Sequence, residues 1–151
     1  MKRFTLEEAN ALIPDLLRRL ETIHQELTPL QEALKTANDS LLEREWKLRQ
    51  ARQEGAPRIS LDELQIEWDE AAAHLVATRR HFEGQQQAWT RLLQRSGVIV
   101  RDLMNGKFDL PVRDSDVNAC FCWTMGEESM ACWHPMHQHE TNWRLPLTEL
   151  A

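Results

Sequence analysis

Between Val117 and Arg144 the chain gathers all three of its cysteines, three of its six histidines and three of its six tryptophans. Thiolate and imidazole are ligands for zinc, copper, nickel or non-haem iron, and a thiol is also a redox centre. Two clusters stand out. In Cys120-Phe-Cys122-Trp and Cys132-Trp-His134 a ligand-type residue alternates with an aromatic one. In extended chain the sulfurs and the imidazole therefore share a face, with Phe121, Trp123 and Trp133 on the other. The second cluster is His134-Pro-Met-His137-Gln-His139.

Convergence of the first cluster depends on hairpin register. A turn centred on Glu127 sets Cys122 opposite Cys132 and Cys120 opposite His134, the donor set of a zinc site with three cysteines and one histidine. A turn centred half a residue later sends the two groups to opposite faces. The C-x-C spacing is not the longer spacing that curls around structural zinc. Competing readings are cysteines acting as small half-buried strand residues and a reversible cross-strand disulfide between Cys122 and Cys132. The histidine cluster, with Glu127, Glu140 or Asp109 nearby, makes either a metal centre with an open coordination position or a polar loop. His24, His74 and His81 fall off the apolar seams and read as surface residues. No glycine-rich phosphate loop, H-E-x-x-H or G-x-S-x-G occurs, which disfavours nucleotide enzymes and hydrolases of familiar type.

The elements that must position these groups begin with a capping box, Thr5-Leu-Glu-Glu8. Pro14 predicts a short helix over about 6–12 and a bend before the next segment. From Ile13 an apolar ladder runs through Leu16, Leu20, Ile23, Leu27, Leu30, Leu34, Ala37, Leu41 and, after a polar rung near Arg44, Leu48, in steps of three and four, a heptad seam. Pro29 interrupts it without changing its phase, predicting a kink and an axis that continues to about residue 53. Glu54-Gly-Ala-Pro57 reads as a loop. Ser60-Leu-Asp-Glu63 reads as the capping box of a return helix over 61–96, with Leu61, Trp68, Leu75, Phe82 and Trp89 at intervals of seven. At 1.5 Å per residue that helix spans roughly 54 Å. Gly97 ends it, and the period changes to two. Val98–Val100, Lys107–Pro111, Asn118–Thr124 and Met130–His134 are the expected strands, with Asn105-Gly106 and Met125–Ser129 as turns.

The chain of 151 residues carries a net charge of −6 and lacks an apolar run of membrane-span length. Its start shows no secretory signal pattern, and its cysteines are odd in number; these point to the cytoplasm, with reduced thiols. Residues 98–151 hold four Lys/Arg against eight Asp/Glu, which opposes binding to nucleic acid or anionic lipid. The local exception, Arg44, Lys47, Arg49, Arg52 and Arg58, is interleaved with Glu43, Glu45 and Glu54 and reads as a solvated face.

Three stretches carry a resemblance: Phe4-Thr-Leu-Glu-Glu-Ala-Asn-Ala-Leu-Ile-Pro14; Gly97 through Asp102 with Gly106 and Asp109-Leu-Pro111; and Cys122-Trp-Thr-Met-Gly-Glu127 with Trp133-His134. Together they resemble a family of small bacterial proteins catalogued as domain of unknown function 2203, and they bracket nearly the whole chain. The resemblance implies no activity. It implies that Cys122-Trp123, Gly126-Glu127 and Trp133-His134 belong to the family's pattern and that Cys120 and Cys132 do not. Where relatives tend to be acidic after the Trp-His pair, this chain has His137 and His139, which keeps metal-ligand character. That favours a site centred on His134, with His137 and Cys122 as ligands and Glu127 as ligand or base.

The expected fold is α+β, a single domain over 1–151: a long antiparallel helical hairpin over 1–97, coiled-coil-like and kinked near Pro29. A small antiparallel β-meander over 98–151 packs at its open end. The expected function is a binding or regulatory module with a transition-metal site, zinc first, among His134, His137, His139, Cys120, Cys122, Cys132 and Glu127. The alternatives are a metal-free coiled-coil scaffold and a small metal-dependent enzyme with Glu127 as general base. Expected partners are a second copy bound through the helical arms, or another protein.

Overall fold

The structure, a computed structural model, describes residues 1–137 and 144–150. Two long helices, α1 (Leu6–Gln53) and α2 (Arg58–Arg95), precede five strands: β1 (Ile99–Asp102), β2 (Lys107–Pro111), β3 (Ala119–Thr124), β4 (Cys132–Pro135) and β5 (Leu145–Pro146). The strands form one antiparallel sheet in the order β1-β2-β3-β4-β5, a meander. The α+β architecture is the expected one. None of the described helices is long and apolar enough to cross a membrane. The chain falls into two compact units, Gln25–Gln86 and Met1–His24 with Gln87–Ala151.

In the unit Gln25–Gln86 the arms of α1 and α2 lie along each other. Leu27, Ala37, Leu48, Ala71 and Leu75 are buried between them, and Leu30, Leu34, Leu41, Leu61, Leu64, Trp68 and Phe82 are half-buried. The heptad seam read from the sequence is thus the packing seam. Helix α1 is continuous through Pro29, which is exposed. The tip charges pair locally: Lys47 with Glu43 at 3.0 Å, Arg44 with the Ser40 hydroxyl at 2.8 Å, and Arg52 with Gln65 at 3.2 Å. The return helix starts at Arg58, ahead of the expected Ser60 box. The Pro57 carbonyl accepts the N–H groups of Ser60 and Leu61 at 3.0 and 3.1 Å, so Ser60 already lies in the first turn.

In the other unit the Thr5 box forms as read: Glu8 N–H donates to the Thr5 hydroxyl at 3.2 Å, and Thr5 N–H to the Glu8 carboxylate at 2.9 Å. The short separate helix expected over about 6–12 does not form, and α1 is unbroken at Pro14. Ala9, Ile13, Leu16, Leu20 and Ile23 are buried on both sides of an exposed Pro14. Keeping that stripe in phase outweighs one lost hydrogen bond. Phe4 pairs in parallel with Val112, donating to Pro111 at 2.8 Å and accepting from Arg113 at 2.7 Å. At the far end Gly97, at φ 90°, closes α2 with Val98 N–H to Leu93 and Gly97 N–H to Gln94, the left-handed ending that glycine permits.

Strand alternation divides the sheet's side chains. One face carries Phe108, Leu110, Phe121, Trp123 and Trp133, all buried, with Phe108 and Trp123 stacked across β2 and β3 at 6.0 Å between centroids. Polar contacts tie the helical segments to strand connections, among them an ion pair of Glu8 with Arg113 at 3.1 Å. Met130 N–H donates to the Asn10 side chain at 2.7 Å. His24 Nε2 lies 2.7 Å from the Met104 carbonyl oxygen. His24 is therefore half-buried and structural, not the surface residue expected; its partner is distant in sequence. His74 and His81 are exposed, as read.

Candidate metal centre

The opposite face of the sheet carries the candidate ligands. The β3–β4 register is the one centred on Glu127: Cys122 faces Cys132, and Cys120 faces His134. The turn that sets it is held by Glu127 itself. Its carboxylate accepts the Thr124 N–H at 2.8 Å and the Arg144 guanidinium at 2.7 and 2.9 Å, and its carbonyl accepts the Trp123 indole N–H at 2.9 Å. Gly126 takes φ 101° beside it. Glu127 thus works as the clasp of the hairpin.

On the other side of β3, the β2 register sets Asp109 opposite Cys122. The bonds Met125 N–H to Gly106 and Val112 N–H to Ala119 fix the alternation and make Asp109–Cys122 a non-hydrogen-bonded pair. In such pairs the Cα atoms approach to roughly 4.5 Å and the side chains lie closest. Asp109, Cys122 and His134 then each offer a ligand atom, all within 4.8 Å of one another. Among the described residues this is the one group of three or more such side chains with that geometry. Asp109 and His134 side chains are 5% and 12% exposed.

Asp109 Oδ2 receives two cationic-type partners, the Arg101 guanidinium from β1 and His134 Nε2 at 2.9 Å. The other ring nitrogen, Nδ1, lies 2.8 Å from the Pro135 carbonyl oxygen. A carbonyl and a carboxylate both only accept, so each ring nitrogen faces an acceptor, and an ion bound at Nε2 would take the place of the hydrogen shared with Asp109. Orientation of a metal-binding imidazole by a backbone carbonyl is the usual outer-shell arrangement. The Cys120 and Cys122 thiols are held neutral. Burial, with the Asp109 charge second, pushes Cys122 and Cys120 each up to about 12.

The remaining candidates stand elsewhere. Cys120 is fully buried beneath His134, and Cys132 is half-buried opposite Cys122; neither joins the mutual group. His137 is exposed in the turn after β4. His139 and Glu140 lie outside the described residues. Asp109 entered the sequence reading as a neighbour of a histidine site and, like Arg101, within a stretch that carries the resemblance, but neither was named among the site's residues. The available signal was a charged residue between Phe108 and Leu110 in a strand, where Asp is depleted.

A family model described as "Uncharacterized conserved protein (DUF2203)" matches residues 2–142. Comparison with curated proteins and with solved structures gave no match.

Proposed function

The chain belongs to the DUF2203 family of uncharacterised conserved proteins, and from that premise we propose that it is a metal-binding regulatory module. Its centre is Asp109, Cys122 and His134, and zinc is the favoured ion. The observation that carries this reading is the meeting of carboxylate, thiol and oriented imidazole within 4.8 Å, drawn from three adjacent strands and largely buried. One oxygen, one sulfur and one nitrogen donor suit a tetrahedral zinc ion that keeps a fourth position for water or a partner's side chain. Binding takes the proton from Cys122 and replaces the Arg101 contact as the positive neighbour of Asp109.

The test is metal content and titration on reduced protein with zinc and cobalt. The expectation is one ion per chain and, for cobalt, a thiolate charge-transfer band. Asp109→Asn, Cys122→Ser and His134→Ala should each weaken binding by roughly 100-fold or more, since even outer-shell changes cost 10–100-fold. Cys120→Ser should leave it within a few-fold. Uptake unchanged by all three ligand substitutions would overturn the site.

A second reading, association through the helical arms, draws on Leu42 and Trp46 of α1 and Ile59 and Ile66 of α2, which are 54–71% exposed. Light scattering of the wild type and Trp46→Glu tests it; a monomer in both cases would remove it.

A further inference from the structure

We infer that the metal centre is redox-gated: oxidation links Cys122 to Cys132 as a cross-strand disulfide and expels the ion, and reduction by a dithiol restores the site. This rests on the metal-binding reading and adds its control. The register sets the two cysteines directly opposite each other on adjacent antiparallel strands and on one face. Directly opposed residues have Cα atoms roughly 4.5–5.5 Å apart, inside the roughly 4.4–6.8 Å range that a disulfide bridges. Cys120 has no such partner, because it faces His134 and shares a strand with Cys122.

Accessibility orders the chemistry. Cys120 and Cys122 are buried, and Cys132 is half-buried, so a small oxidant of the peroxide class reaches Cys132 first. The Cys132 thiol takes one oxygen atom from hydrogen peroxide, giving a sulfenic acid and one water. The Cys122 sulfur then attacks the Cys132 sulfur; the S–S bond forms, the S–O bond breaks, and the departing hydroxide leaves with a proton as a second water. Two thiols have lost two electrons, both taken by the peroxide. A disulfide sulfur is no longer a thiolate ligand, so the donor set falls from three to two.

Zinc-loaded protein is titrated with hydrogen peroxide while released zinc is followed with a chromogenic chelator, thiols are counted, and links are mapped by peptide mass spectrometry. The expected result is loss of two of the three thiols, a Cys122–Cys132 link, one zinc released per link, and recovery with dithiothreitol. Cys132→Ser should bind zinc like the wild type and retain it at peroxide levels at least tenfold higher. Retention of zinc after the link has formed, sulfinic acid on Cys132 without a link, or equal release from Cys132→Ser would each overturn the gate while leaving the site standing. Failure of reduced protein to take up zinc would overturn the metal reading and with it the gate, whatever the link map shows.

Discussion

Asp109 and His134 stand on β2 and β4, strands that do not pair, and meet at 2.9 Å over the strand between them. Their partners in register on β3 are Cys122 and Cys120. The carboxylate and the imidazole therefore reach over β3 from either side, and the two cysteines beneath are buried. Burial raises the thiols, and the same roof of carboxylate and imidazole supplies the other two ligands of the proposed centre.

Proton linkage follows from the raised thiols. Cys120 and Cys122 move from an ordinary 9.0 to about 12, through burial first and Asp109 second. The folded state prefers the neutral thiol, so this contribution to stability is complete below about pH 9 and is lost as pH rises toward 12. The urea midpoint of the metal-free protein should fall across that interval. Zinc binding must remove the Cys122 proton, so apparent affinity should rise about tenfold per pH unit near neutrality. Calorimetry in two buffers of different ionisation heat measures the protons released; none released would exclude Cys122 as a ligand.

Arg101→Met should destabilise the metal-free protein by about 3 kcal/mol, because it leaves a buried carboxylate with one cationic partner fewer. Zinc should restore much of the loss, since the ion supplies the missing charge. The wild type should therefore show a smaller zinc-induced rise in melting temperature than the variant. Equal shifts would mean that Arg101 and the ion do not share Asp109.

Gly97→Ala tests the junction where α2 hands over to the sheet. The position sits at φ 90°, and an added Cβ would lie 2.8 Å from Lys2 Cβ and 3.1 Å from Phe4 Cζ. Left-handed strain and crowding together should cost about 1–3 kcal/mol in the denaturant midpoint. A neutral result would mean that the chain start is not seated on this turn.

The helices were legible because their signals are local and repeated. Leu27, Ala37, Leu48 and Leu75 follow the heptad and are buried where it places them. Thr5 and Glu8 needed only each other to mark an N-terminus. Pro14 misled because its cost is one hydrogen bond, whereas the apolar stripe on either side of it is secured by packing that no local rule counts. The start of α2 at Arg58 misled because Pro57, read as the end of the loop, took the role given to Ser60.

By itself the sequence determined the alternation that gathers Cys120, Cys122, Cys132 and His134 on one face, since side-chain direction along a strand has period two. It offered two registers, and the Glu127 clasp, with Arg144 brought in from 17 residues away, selects between them. Tertiary structure alone decided that Asp109, with Arg101 on its carboxylate, joins Cys122 and His134 in one group. Asp109 and Arg101 arrive through the pairing of β1 with β2 and β2 with β3, and pairing between strands is fixed by which buried faces fit together, not by any spacing within one strand.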